Sequence, residues 1–280
     1  MGKFKIGITG HKGVFATNFI KFYKNRYIID KFKGDVTSKK QIKYWIKSQN
    51  FDFIIHAAAK VPVKYVSNNY NYSYKVNVEG TKNIVDNLLI LKKNCFFVFL
   101  STAQVYNFSK KPILETSKIR PISKYGKTKY LAEKYIIKRL HKKNEYSILR
   151  IFSYTDKNQS TEFFIPSIVK KIKNKKKIFK INNLSQKRDF IHIKDLCRVV
   201  SHVIKLKLNG VLNVGSGKSY KLNYLVSYLC KKFKKKLIFN DKIPRKTKYK
   251  NEDLFPNIRK LKKSGFKLNY NIKKILDEFI

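Results

Sequence analysis

Cysteine is scarce in this 280-residue chain: Cys95, Cys197 and Cys230 stand far apart, two of them inside apolar periodic segments. That excludes a disulfide framework or a zinc site of closely spaced thiolates and marks the three as packing residues. Long hydrophobic runs are missing too. No stretch approaches the ~18 uninterrupted apolar residues of a membrane span, and Met1-Gly2-Lys3-Phe4-Lys5-Ile6 leads into a strand pattern in place of a signal-peptide run. A cytoplasmic location and no membrane partner are expected. Internal repeats, linkers and low-complexity tracts that would divide the chain into independent domains are also absent.

Acidic residues number 17 against 64 basic ones, a formal charge of +47. Such an imbalance raises the question of nucleic acid or an anionic surface. However, lysine accounts for 56 of the 64 basic residues and is scattered through nearly every predicted helix, turn and strand edge. The densest cluster, Lys232-Phe233-Lys234-Lys235-Lys236, holds one aromatic and no array on which bases would stack. The charge is therefore read as solvated surface, with no dedicated nucleic-acid site, and as a general attraction for small anions.

What is present in quantity is apolar and aromatic: 43% and 14% of the chain, enough for a full core in one large domain or two unequal lobes. Short β-branched or aromatic runs alternate with amphipathic segments, as in a parallel sheet covered by helices. Strands are predicted at residues 4–9, 26–30, 53–58, 96–101 and 147–152, and helices at 15–23, 40–49, 78–91 and 124–140. After residue 153 the rhythm changes. Short strands at 211–214 and 236–239 mix with Lys-rich helices at 164–173, 196–206 and 220–233, as for a smaller lobe with a segment returning to the main sheet. The expected fold class is α/β: a Rossmann-type doubly wound parallel sheet over residues 1–153, rejoined near 188–216, with 154–280 forming mainly a substrate-binding lobe.

The first strand runs into Thr9-Gly10-His11-Lys12-Gly13-Val14-Phe15-Ala16. Gly10 permits a tight turn, Gly13 lets backbone amides approach a pyrophosphate, and Ala16 allows close helix packing, with the helix N-terminus aimed at the anion. Asp30 ends the next strand 20 residues after Gly10, where a carboxylate accepts hydrogen bonds from an adenosine ribose. An acid there favours NAD over NADP, while Lys31 and Lys33 keep NADP open. The alternative role for Asp30 is to cap a turn.

Downstream, Ser101-Thr102 close a strand, and Lys124-Tyr125-Gly126-Lys127-Thr128-Lys129 open a helix just after Pro121. Positions i and i+4 share a helix face, so the Lys129 ammonium can lie beneath the Tyr125 phenol. A phenol titrates near ~10; a neighbouring cation stabilises the phenolate and lowers that value by about 1–3 units, making a usable base. A Thr102 hydroxyl would hold the same substrate oxygen for proton transfer.

These segments, with Ile55-His56-Ala57-Ala58-Ala59, Asn77-Val78-Glu79-Gly80-Thr81, Leu100-Ser101-Thr102-Ala103-Gln104-Val105-Tyr106, Leu149-Arg150-Ile151-Phe152, Arg188-Asp189-Phe190-Ile191-His192 and Leu212-Asn213-Val214-Gly215-Ser216-Gly217, occur in one order. The chain thereby resembles, over nearly its whole length, the extended short-chain dehydrogenase/reductase family in its nucleotide-sugar epimerase, dehydratase and reductase branch. The resemblance implies Thr102, Tyr125 and Lys129 as the catalytic set. It implies Gly10, Gly13, Ala16, Asp30 and Asp35 around the dinucleotide, with Ala57 and Ala58 along its path and Tyr125 and Lys129 at its reacting end. Arg188 and Arg245 would clamp a substrate diphosphate, and Ser153 stands where epimerases usually place a diphosphate-binding Asn. His56 and His192 are read as structural, Tyr106 and Phe152 as core. By analogy the protein is a homodimer through helices 78–91 and 124–140, and no metal is called for.

A dehydratase of this branch would carry an Asp-Glu pair where Ala103-Gln104 stand, and a decarboxylase a Glu at Gln104, so neither chemistry is expected. The first expectation is an NAD-dependent 4-epimerase of a nucleotide-diphosphate hexose, in which NAD is retained. The alternative is an NAD(P)H-dependent 4-keto-6-deoxysugar reductase, favoured by the short link from Asp30 to Asp35. A third reading, from another class, is a non-catalytic dinucleotide-binding or RNA-associated protein; the intact Thr102, Tyr125 and Lys129 argue against it.

Overall fold

The computed structural model describes residues 3–91, 93–143, 145–174, 177–182, 184–240 and 253–280. Its first half alternates as the sequence pattern requires: β1 (Lys5–Thr9), α1 (Val14–Tyr23), β2 (Ile28–Lys31), α2 (Lys39–Ser48), β3 (Phe53–His56), α3 (Val63–Asn68), α4 (Tyr70–Tyr74), a π-helical turn at Lys75–Glu79, α5 (Gly80–Leu89), β4 (Phe96–Thr102), α6 (Lys124–Leu140) and β5 (Tyr146–Ile151). The second half adds β6 (Tyr154–Thr155), α7 (Phe164–Lys173), β7 (Ile178–Asn182), β8 (Lys187–Arg188), β9 (Ile191–His192), α8 (Ile193–Leu206), β10 (Gly210–Val214), β11 (Tyr220–Lys221), α9 (Leu222–Lys232), β12 (Lys236–Asn240), α10 (Arg259–Lys263) and α11 (Ile272–Asp277).

Six strands form one parallel sheet in the order β10-β5-β4-β3-β1-β2. Successive side chains of a strand point to opposite faces, and both faces here are covered, so β4 is apolar on both from Phe96 to Leu100 before it ends in Ser101 and Thr102. Phe96 and Val98 join α1 and α8 in one core cluster, which includes Phe15, Phe19, Leu196 and Val200. Phe97 and Phe99 join α2, α5 and α6 in the other, with Ile42, Trp45, Val85 and Ile136. The sheet is therefore doubly wound, and β10 is the strand that returns to it, beside β5. A third cluster, built from α7, α9 and α11 with Phe179 of β7, makes the smaller lobe beside the parallel β7–β12 pair.

Boundaries shift where pairing outweighs local pattern. Tyr220 and Lys221, expected in a helix, pair antiparallel with Arg188 and Lys187, and the helix starts only at Leu222. The third strand ends at His56, two residues early, leaving Ala57 and Ala58 in the loop beyond the sheet.

One polar row interrupts the apolar sheet. Ser101, Arg150 and Asn213 face each other in register across β4, β5 and β10. Arg150 donates from Nη2 and Nε to Glu133 Oε2 of α6 at 2.7 and 3.1 Å, and from Nη1 to the Tyr106 hydroxyl at 2.7 Å. Ser101 donates to the same Glu133 carboxylate, and Tyr106 donates to Asn213 Oδ1 at 2.8 Å. Glu133 is 0% and Arg150 4% exposed, so each charge is stabilised almost solely by the other and by this network. Arg150→Ala should lower unfolding free energy by about 3–5 kcal/mol, because it leaves a buried carboxylate unpaired. Urea titration measures this, and Glu133→Leu with Arg150→Met should recover most of the loss.

Candidate active site

The glycine turn sits where β1 leaves the sheet. Gly10 adopts φ +70°, and a Cβ on it would lie 2.6 Å from the Ala58 backbone nitrogen, so only glycine lets this turn rest against the end of β3. Gly13 donates its N–H to Gly10 O at 2.9 Å and caps α1, whose Ala16 is buried in the core. Ala57 and Ala58 thus border the turn.

A chain of buried polar contacts runs from this turn to the helix carrying Tyr125. Thr9 Oγ1 meets His56 Nδ1 at 2.7 Å and accepts the Ala58 N–H at 3.2 Å; His56 Nε2 meets Thr81 Oγ1 at 3.1 Å. Thr81 donates to Asn77 O at 2.7 Å, and Asn77 Nδ2 donates to Thr128 Oγ1 at 3.0 Å. Thr128 closes the chain by donating to Tyr125 O at 2.8 Å. Burial first, and then the nearby Lys129 charge, hold His56 well below its ordinary titration range, so it is neutral. His192 is likewise structural: its Nδ1 accepts the Lys194 N–H at the start of α8, Nε2 faces Glu278 at 2.8 Å, and the ring stacks on Tyr270.

The start of α6, which carries Tyr125, lies close against the segment that follows Thr102 at the end of β4. Ser123 caps α6, accepting the Gly126 N–H at 2.9 Å, and donates to Gln104 Oε1 at 2.5 Å. The Ile122 N–H donates to Gln104 O at 3.1 Å, and a Cβ on Gly126 would collide with that same carbonyl oxygen. Gln104 is thereby a bolt between the two segments, its side chain engaged with the helix cap. Thr102 Oγ1 accepts the Gln104 N–H at 3.3 Å and Ala103 is fully buried.

The electrostatics differ from the expectation that Lys129 lowers the Tyr125 phenol. Burial, and secondarily the neighbouring Tyr154 phenol, raise Tyr125 above its ordinary value. Lys129, 2% exposed and with its ammonium 3.9 Å from the centre of the Phe99 ring, is itself pushed down to about 7 by burial, which Glu133 only partly offsets. With the Phe99 face as its described contact, the ammonium keeps N–H donors for an added acceptor. A dinucleotide fits this: its ribose hydroxyls would take the Lys129 donors, and its pyrophosphate the cradle at Gly10 and Gly13.

The remaining expected residues are placed less directly. Asp30, instead of standing open, accepts the Trp45 Nε1–H at 2.5 Å. Asp35 is the residue that caps a turn, accepting the Thr37 N–H at 2.9 Å. Ser153 lies between β5 and β6, its carbonyl taking the Ile191 N–H. Arg188 is held by Lys187 O and Gln186 Oε1 and lies over the Phe108 ring, beside the cluster of Val105, Tyr106 and Phe152 that backs the Thr102 segment. Arg245 lies outside the described residues. Sequence reasoning missed Glu133, Ser123 and Tyr154. Glu133 was detectable as the residue one further turn along the Tyr125-Lys129 face. Among the described residues there is no helix long and apolar enough to cross a membrane, and no cluster of three or more potential metal ligands.

Three likenesses to known proteins bear on this site. Residues 6–215 match the model of the NAD dependent epimerase/dehydratase family. GDP-6-deoxy-D-talose 4-dehydrogenase of Aggregatibacter actinomycetemcomitans is 27% identical over 81% of this chain and 79% of its own length. A putative UDP-glucose 4-epimerase of Methanocaldococcus jannaschii is 28% identical, covering 78% and 79%. The fold matches that of RMD from Pseudomonas aeruginosa complexed with NADPH, with a TM-score of 0.88 at 18% identity over 99% of this chain and 97% of that one.

Lys129 gives the site a pH signature. The unfolded chain keeps this proton up to about the ordinary value of 10.5, whereas the folded protein releases it near 7. The unfolded state therefore binds more protons across that window, and the contribution of this group to stability is least below pH 7 and grows as pH rises through it. Thermal unfolding of the ligand-free protein between pH 6 and 9 should show this slope, and Lys129→Met should flatten it.

Proposed function

From a chain that belongs to the NAD dependent epimerase/dehydratase family, we propose an enzyme that interconverts a hydroxyl and a keto group at one ring carbon of a nucleotide-diphosphate sugar, without eliminating water. The observation that carries this is Gln104. Its side chain is spent on Ser123 and its neighbour Ala103 is buried, so the segment that follows Thr102 supplies no second acid–base group. One proton and one hydride suffice for alcohol–ketone chemistry, whereas dehydration needs a second acid–base group.

In this reading Thr102 orients the substrate oxygen and Tyr125 exchanges its proton. Lys129, buried under the same helix face, holds the cofactor ribose and, in its charged form, favours the phenolate. The bound nicotinamide supplies the hydride acceptor or donor and, when oxidised, a positive charge beside the phenol. Arg188, with Ser153 and Arg245, would anchor the sugar-nucleotide diphosphate, a task suited to guanidinium forks. Residues 1–153 act as the dinucleotide-binding part and 154–280 mainly as the sugar-nucleotide lobe, supported by the separate core of α7, α9 and α11. A homodimer through α5 and α6, in the cytoplasm, completes the reading by family analogy.

Two outcomes of this chemistry are distinguished by the fate of the dinucleotide. A 4-epimerase of a nucleotide-diphosphate hexose retains NAD and returns the hydride to the opposite face; a 4-keto-6-deoxysugar reductase consumes NAD(P)H. The second is favoured by the lysines that follow Asp30 and by the short connection from β2 to α2. Purified protein incubated with a panel of nucleotide sugars and followed by NMR should convert at least one of them; inversion without added reductant identifies the epimerase, and strict consumption of NAD(P)H the reductase. Tyr125→Phe should cut turnover by ~10²-fold or more while leaving dinucleotide affinity intact. Near-normal turnover in that variant refutes the mechanism.

A further inference from the structure

A cavity of about 580 Å³ opens where residues 258–272 fold back against Phe190 and the connection from β10 to β11. Its lining includes neither the glycine turn nor Thr102, Tyr125, Lys129 or Arg188. The floor is apolar: Phe190, Ile258, Leu261, Phe266 and Ile272 are all buried, and Tyr220 and Tyr270 add two more rings. The walls are held in place. Asp195, at the start of α8, accepts the N–H groups of Asn269 and Tyr270 at 3.1 and 3.0 Å. On the facing wall Asp189 accepts those of Ser216 and Lys218 at 2.7 and 3.1 Å, and a Cβ on Gly217 would lie 2.8 Å from Ile258. Gly265, by contrast, faces open space. A preformed, largely apolar and aromatic hollow of ~300–1,000 Å³ is the kind that holds a small molecule.

Its charge is of one sign. Lys218, Lys262 and Lys267 stand in the lining, all exposed, and no carboxylate stands with them. None of the three is ion-paired to a described residue. The acids of the flanking segments are committed: Asp189 and Asp195 to the N–H groups above, Asp195 also to Arg198 at 2.7 Å, Glu278 to His192, and Asp277 to Tyr228 and Lys232. In a chain with 64 basic residues, three exposed ammonium groups are by themselves an ordinary surface. What sets these apart is the aromatic hollow that they rim.

We propose that this cavity binds a small ring-bearing phosphate monoester, its ring on the floor of Phe190, Leu261 and Phe266 and its dianion among Lys218, Lys262 and Lys267. Three cations without a carboxylate complement a dianion, and a rigid ring buries apolar area at little cost in conformational entropy. Binding there requires neither a dinucleotide nor a sugar substrate, and all three can be held together. The wall formed by Ser216, Lys218 and Tyr220 belongs to the segment that holds Asp189 and pairs with Arg188. An occupant therefore contacts the segment beside the strand that carries the proposed diphosphate anchor.

The probe is 1-naphthyl phosphate, titrated calorimetrically into the full chain at near-physiological salt. It should bind with a Kd of ~100 μM or tighter, and 1-naphthol and inorganic phosphate should each bind at least ~10-fold more weakly, because ring and dianion are both required. Excess NADPH should leave the binding in place. In Lys218→Ala/Lys262→Ala/Lys267→Ala the affinity should fall by ~10-fold or more. The triple arginine variant should keep it, which separates lost charge from lost fold. Affinity unchanged in the alanine variant, or 1-naphthol binding as tightly as its phosphate, overturns the proposal. So does displacement by NADPH, which would place the probe in the dinucleotide cradle, and so does a lack of binding up to ~1 mM.

Discussion

The buried pair of Glu133 and Arg150 is the constraint on which the geometry of the site depends. Its two charges come from different elements, α6 and β5, and water reaches neither. Each must find the other for the chain to fold without a large desolvation cost, which fixes the rotation and depth of α6 against the sheet. The remaining donors of Arg150 reach Tyr106 and the Glu115 carbonyl, so the loop between β4 and α6 is fixed by the same side chain. Because Lys129 lies one turn before Glu133 and Tyr125 two turns before it, setting this helix also sets these two candidate residues.

The same pair governs the charge state of Lys129. Glu133 is the one carboxylate that raises Lys129, and its oxygens are shared with Arg150 and Ser101. Burial therefore prevails and the amine releases its proton near neutrality, while Tyr125 stays protonated. The protein alone does not prepare a phenolate. In the proposed reading, the ribose acceptors and positive ring of a bound oxidised dinucleotide would favour that state.

The glycine turn, the polar relay and the strand end at Asp30 show how local rules and long-range contacts divide the work. Gly10 and Gly13 were legible because a tight strand-to-helix turn has few backbone solutions. The polar relay through Thr9, His56, Thr81, Asn77 and Thr128 was not, since its members come from four separate segments with ordinary sequence neighbours. Asp30 illustrates the limit most clearly. Its place at a strand end marked it as a ribose ligand, but the Trp45 that engages it arrives from the face of the next helix.

By itself the sequence determined the alternation of strands and helices, the doubly wound class and the glycine turn between β1 and α1, and it singled out Thr102, Tyr125 and Lys129 as candidates. Each of these is written in periodicities or spacings of a few residues, where backbone geometry leaves little choice. Only the tertiary structure decided how the charges are used. It showed that Gln104 is a bolt and not an idle substitute, that burial and not Lys129 dominates the Tyr125 phenol, and that Asp30 is engaged by the Trp45 indole. Hydrogen bonding and desolvation depend on what surrounds a side chain in space, and for these residues the decisive neighbours lie on other segments of the chain.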